Sequence, residues 1–175
     1  MRQRNPCAII LYIMRYLMKQ RLFSFGDDFN IKDEDGKDVF FVDGKALSFG
    51  NKLSFQDMQG NELAYIKEEV LSWSPTYAIY RGGELVATVK KELFTFFKCK
   101  FYVDVPGPND LEATGSFSDH DYSFTRNGRE VARVSKEWFA FADTYGVEIA
   151  ENEDDVLILA GAVVIDMACH ADRKR

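Results

Sequence analysis

Asp119, His120 and Asp121 stand together in this chain with Ser116 and Ser118 just upstream, and these are the residue types of a hydrolytic triad. In such a site an imidazole takes the hydroxyl proton while a carboxylate orients the ring, so the three groups must converge. Neighbours on one strand or turn point in different directions, and no G-x-S-x-G elbow is present. The stretch reads as a surface turn. Cys169 beside His170 supplies a thiol and an imidazole, yet a cation near a helix C-terminus accounts for the pair. Asp33-Glu34-Asp35-Gly36 has the look of a calcium loop. With Gly36 at the sixth position, Ile31 and Val42 fall where the terminal carboxylates belong, so a hairpin turn is the better reading.

Basic residues offer a second kind of chemistry. Lys98 and Lys100 flank Cys99 in an extended segment, so both project from one face with Tyr102 next in line, and Lys90 and Lys91 lie close upstream. These four are the candidate ligand-binding residues, as a patch for anionic head groups, each contributing about 1 kcal/mol near such a surface. The plainer reading is a solvated strand face whose lysines guard against edge pairing. Asp166 is the single charge inside the final apolar stretch. It is expected at a wet barrel mouth; buried, it would need a partner such as an arginine.

No Walker A loop, G-x-G-x-x-G or metalloprotease motif occurs. Three cysteines (Cys7, Cys99, Cys169) are widely spaced and only His120 and His170 carry imidazole, which argues against a structural zinc site. No catalytic residue, metal ligand or cofactor is expected. A formal charge of −6 argues against general nucleic-acid binding, which needs a net basic face. Cysteines used as small hydrophobes suit a reducing, cytoplasmic environment.

The elements that must position these residues are legible in the middle of the chain. Residues 77–96 align with residues 122–141 at a constant offset of 45, and ten positions are identical: Tyr77, Arg81, Gly83, Val86, Ala87, Val89, Lys91, Glu92, Phe94 and Phe96 recur. Shorter echoes begin at Gly60 and Gly36. Such self-similarity marks one supersecondary unit used several times. Arg126-Asn127-Gly128, Arg81-Gly82-Gly83, Met58-Gln59-Gly60 and Asp35-Gly36 supply glycine where a tight hairpin needs positive φ. The flanks alternate, with Val86, Thr88 and Lys90 on one face and Ala87, Val89 and Lys91 on the other. Fifteen Phe and eight Tyr with only four Pro suit a half-buried pleated surface. The pattern predicts a meander of ten or more strands.

The last apolar segment differs. Val156 to Ile165 reads V-L-I-L-A-G-A-V-V-I after the acidic run Glu151–Asp155. Asn152, or Asp154 with Asp155, would cap a helix there, and Ala160-Gly161-Ala162 is poor strand material. Val156–Ala168 is too short to span a bilayer, so a helix apolar on all sides must be buried. Eight strands fill a barrel with their own side chains, whereas a larger barrel leaves room. The expected fold is therefore mainly β: a closed antiparallel β-barrel of about twelve strands enclosing a central hydrophobic C-terminal α-helix. One domain is expected over residues 14–170, followed by a basic tail at 171–175. Residues 1–13 carry a basic start and a short apolar run without a cleavage site; they are expected to be an extension ahead of a natural start at Met14.

The residues from Tyr16 to Ile31, Asp43-Gly44-Lys45, Lys98 to Val105 and Leu159 to Asp166 together resemble bacterial LURP-one-related proteins, over about Met14 to Cys169. The resemblance implies the Tubby C-terminal-like architecture, a barrel of about twelve strands around a hydrophobic helix. It also implies functional analogies: defence-associated plant members, phosphoinositide-binding Tubby domains and membrane-acting phospholipid scramblases. The phosphoinositide-contacting residues of Tubby have no positional match here. The expectation is a non-enzymatic, cytoplasmic interaction or regulatory module, peripheral to the membrane where its partner is anionic phospholipid, and otherwise bound to an unidentified protein. A small-ligand carrier or an enzyme using a barrel-mouth pocket is the alternative.

Overall fold

The computed structural model describes residues 12–21, 28–44, 51–95, 98–136 and 144–173. In chain order the strands are β1 (Tyr12–Arg21), β2 (Asp28–Asp33), β3 (Asp38–Gly44), β4 (Lys52–Asp57), β5 (Glu62–Glu68), β6 (Thr76–Arg81), β7 (Glu84–Thr95), β8 (Lys98–Asp104), β9 (Leu111–Ser116), β10 (Asp121–Arg126), β11 (Arg129–Ser135) and β12 (Thr144–Ala150), and one helix, α1 (Asp155–Arg173), follows. Each strand pairs antiparallel with the next, and β1 pairs with β12 to close a twelve-stranded barrel. The first strand takes in Tyr12 and Ile13 ahead of Met14, and the helix reaches Arg173, inside the expected tail.

Turn chemistry explains the meander. Gly82 and Gly83 (φ 55° and 88°), and Asn127 and Gly128 (φ 51° and 76°), place both central residues of their hairpins at positive φ. That is the two-residue turn whose twist matches the flanking strands. The two repeat copies even share a ladder irregularity, between Ile79 and Tyr80 in one and Phe124 and Thr125 in the other. Asp33 and Asp57 shape the turns of the β2–β3 and β4–β5 hairpins. The Asp33 carboxylate accepts from the amides of Asp35 (3.1 Å) and Lys37 (2.9 Å), so the acidic stretch at 33–36 is a turn, as expected.

Inward-facing residues of the strands and the apolar residues of the helix form one buried core. Val42, Phe55, Ile66, Ile79, Val89, Phe101, Phe124, Val134 and Val147 are buried, and so is every helical residue from Leu157 to Ala168. Burying one such aliphatic side chain contributes about 1.5–3 kcal/mol, which is why the segment occupies the axis instead of the surface. Its small residues have a packing purpose. A Cβ built on Gly161 would lie 3.4 Å from Cε1 of Phe124, so the ring of β10 sits where the helix is thinnest.

Acidic residues fasten the helix at its N-terminal end. The Asp154 Oδ1 accepts from the Leu157 amide (3.1 Å), making Asp154 the cap. Arg81 donates to both Asp154 oxygens at 2.6 Å, and Arg126 pairs with Glu153. Arg81 and Arg126 are equivalent positions of the internal repeat, so the same place in the unit supplies both clamps. Tyr16 completes the set by donating to Asp155 at 2.7 Å.

Burial alone would raise the Asp154 carboxyl, but the Arg81 guanidinium and the Leu157 and Val156 amides outweigh it and hold it below the ordinary range. A carboxyl held below its unfolded value contributes stability that is complete above about pH 4 and fades as pH falls through the folded value. Asp154→Ala is therefore expected to cost about 1 kcal/mol at pH 7. The gap from wild type should narrow at pH 3 when urea midpoints are compared. An equal gap at both pH values would contradict the clamp. Asp155 works the other way: burial raises its carboxyl despite the Tyr16 hydrogen bond, so its protonated form favours folding.

Candidate functional site

The candidate lysines whose side chains are described, Lys90, Lys91 and Lys100, divide between two faces. Lys90 is exposed and bonded to Asp104 at 2.6 Å across the β7–β8 ladder. Lys100 meets Glu112 of β9 at 3.0 Å, which raises the Lys100 ammonium above its usual range, and it stands 5.6 Å from the Tyr102 ring. Lys91 faces inward. It is 5% exposed, with its ammonium 5.8 Å from the centre of the Phe101 ring. It therefore takes no part in an exterior patch with Lys90 and Lys100, a consequence of strand alternation. Lys98 opens β8, and its side chain lies outside the described residues, as do those of Cys99 and His170.

His120 departs from the surface-turn expectation. Asp119 and Asp121 are exposed, and Ser116 bonds to Asp119, but His120 (φ 51°) turns its ring into the barrel and is 8% exposed. It stacks on Tyr145 with centroids 4.5 Å apart and interplanar angle 29°. Its Nε2 lies 2.8 Å from Oδ1 of Asp166. Asp166 is thus buried, not wet, and the partner it has found is a histidine in place of the expected arginine. Tyr122 joins them. Burial first, and the Asp166 carboxylate second, push the phenols of Tyr122 and Tyr145 well above their ordinary range. This cluster sits at the C-terminal half of the helix, beneath the β9–β10 turn. The physical signal for it was Asp166 itself, since a charge on an all-apolar helix demands a partner.

At the same end of the barrel the β5–β6 loop exposes apolar side chains. Leu71 is 97% exposed and Trp73 fully exposed, with Val70 half-exposed beside them. The loop is held in shape by its own bonds. The Glu69 amide donates to the Thr76 carbonyl (2.8 Å), the Ser72 amide to the Glu69 carbonyl (3.1 Å), and the Ser72 and Thr76 hydroxyls are 2.9 Å apart. The Lys91 amide donates to the Pro75 carbonyl at 3.0 Å, which joins the loop to β7, and Thr76 pairs with Lys90. Trp73 thus stands on the rim; Trp138 lies outside the described residues. The opposite end carries a depression of about 390 Å³ lined by Arg126, Asn127, Arg129, Glu151 and Glu153, within which Arg126 pairs with Glu153. No helix among the described residues is long and apolar enough to cross a membrane.

A closed antiparallel barrel of twelve strands threaded by a C-terminal hydrophobic helix is the architecture that the resemblance implied under the name Tubby C-terminal-like. Within it, the family model described as LURP-one-related matches residues 14–166, and the chain belongs to that family. It is similar to the uncharacterised protein YxjI of Bacillus subtilis (strain 168), 35% identical over 160 residues that cover 91% of this chain and 96% of that protein. Its fold is similar to the X-ray structure of the Arabidopsis thaliana protein AT5G01750, with a TM-score of 0.68 and 19% identity over 94% of this chain and 93% of that one.

Proposed function

We propose that this protein works by binding and not by catalysis, and that its partner is an anionic phospholipid surface met by the rim at the C-terminal end of the helix. The observation that carries the reading is the β5–β6 loop. A tryptophan and a leucine held fully in water cost free energy unless something covers them, and contiguous exposed apolar surface marks interaction sites. Tryptophan suits the boundary between head groups and acyl chains because its ring is apolar and its N–H is polar. Lys90 lies beside this loop through its pairing with Thr76, and Lys98 and Lys100 follow on the neighbouring strand. Their attraction is a secondary contribution, since Asp104 and Glu112 already face Lys90 and Lys100.

Vesicle flotation tests this directly, with phosphatidylcholine alone and with phosphatidylserine added. The full chain is expected to float with the anionic vesicles. Leu71→Ser/Trp73→Ala should lower the bound fraction at least about tenfold, because each buried side chain contributes about 1.5–3 kcal/mol. Lys98→Ala/Lys100→Ala should lower it by a smaller factor that vanishes in high salt. Wild type that stays at the bottom of the gradient with both vesicles ends the lipid reading. A stable protein complex recovered through the same loop would replace it.

A further inference from the structure

We infer that the barrel encloses a hydration site beneath the β9–β10 turn, in which ordered water is the ligand of Tyr122, Tyr145 and His120 beside Asp166. Three side-chain atoms there, the hydroxyls of Tyr122 and Tyr145 and the Nδ1 of His120, are buried and have no hydrogen-bond partner among the described residues. They come from β10, β12 and the turn between β9 and β10, so three separate elements aim polar atoms into one part of an otherwise apolar interior. A buried polar group without a partner gives up its hydration for nothing in return, and three in one place would be a heavy penalty for a domain to carry. The groups are neighbours: both phenols respond to the Asp166 carboxylate, Tyr145 also responds to Tyr122, and the His120 ring stacks on Tyr145.

Their hydrogen-bonding capacities are complementary to water. The Asp166 carboxylate accepts, so the His120 Nε2 facing it is assigned the proton, and Nδ1 is left as an acceptor. Each phenol remains protonated at neutral pH and offers a donor and an acceptor. No pair among these three atoms is bonded directly, whereas a water donating to Nδ1 and accepting from a phenol satisfies two at once. Buried waters make about three such bonds, which is the number of atoms offered. Apolar guests find no counterpart for these atoms, and a cation is disfavoured because Asp166 is the one carboxylate among the described residues that both phenols and His120 share.

Two measurements on the full chain decide the matter. Oxygen-17 magnetic relaxation dispersion of the wild type should show at least one water held inside the protein, and Tyr145→Phe should reduce that signal. In parallel, Tyr122→Phe and Tyr145→Phe should each lower the folding equilibrium constant about three- to tenfold, because each removes a bond to the water. Dry orphan hydroxyls predict the reverse sign, since phenylalanine would relieve an unmet polar group. No long-lived water in the wild type overturns the inference, and so does a phenylalanine variant as stable as wild type or more stable.

Discussion

His120→Ala is expected to destabilise the barrel by about 3 kcal/mol, read as a lower urea midpoint at unchanged slope. The Asp166 carboxylate lies on a helix whose neighbouring residues are apolar and buried, and the residue itself is 4% exposed. Removing the imidazole 2.8 Å away takes a hydrogen-bonding counterpart from a carboxylate shielded from bulk solvent. Losing one member of a buried pair is far worse than losing both, because the remaining charge is what destabilises. The companion variant His120→Leu/Asp166→Leu should therefore recover much of the loss. A single-variant loss below about 1 kcal/mol, or a double variant worse than His120→Ala, would show that Asp166 does not depend on the histidine.

Gly115→Ala should be at least as damaging, about 3–5 kcal/mol, combining strain at a special φ with overpacking. Gly115 has φ 144°, a region that residues with a Cβ rarely enter. It sits directly opposite Tyr122 on β10. A Cβ there would lie 2.5 Å from the Asp121 carbonyl oxygen and 2.6 Å from the Tyr122 Cα, both backbone atoms with no rotamer to adopt. The β9–β10 pair would have to separate, carrying His120 and Tyr122 with it. Gly161→Ala supplies the contrast, because the added methyl meets only the Phe124 ring at 3.4 Å, in a helix that gains about 1 kcal/mol from alanine. Thermal unfolding should show a large fall in Tm for the first and little change for the second. Equal effects would refute the steric account.

Much of the barrel was legible from local patterns. The repeat at offset 45 located two hairpins, their glycines located the turns, and the apolar run after Asp155 announced a buried helix. Alternation also placed Lys90 and Lys91 on opposite faces, which already divided the candidate patch. The salt partners Asp104 and Glu112 were not legible, because they depend on the register between β7, β8 and β9. His120 was missed for a related reason. Between two exposed aspartates it reads as solvated, and only the closed barrel brings its turn alongside the helix. The exposed Leu71 and Trp73 had no sequence signature, since a tryptophan beside a serine-rich turn is equally consistent with a rim cover.

The order of the elements has a consequence for biosynthesis. Closure joins Tyr16 to Val147, residues at opposite ends of the strand series, and the nineteen-residue helix that fills the interior comes after both. A ribosome therefore delivers every wall of this barrel before its contents. Until Asp155–Arg173 emerges, the nascent strands have nothing to close around, and their apolar faces stay open to one another and to neighbouring chains. Pairings of such long sequence separation also form slowly. Shielding by chaperones during translation, and intolerance of stops placed upstream of α1, follow from that order of delivery alone.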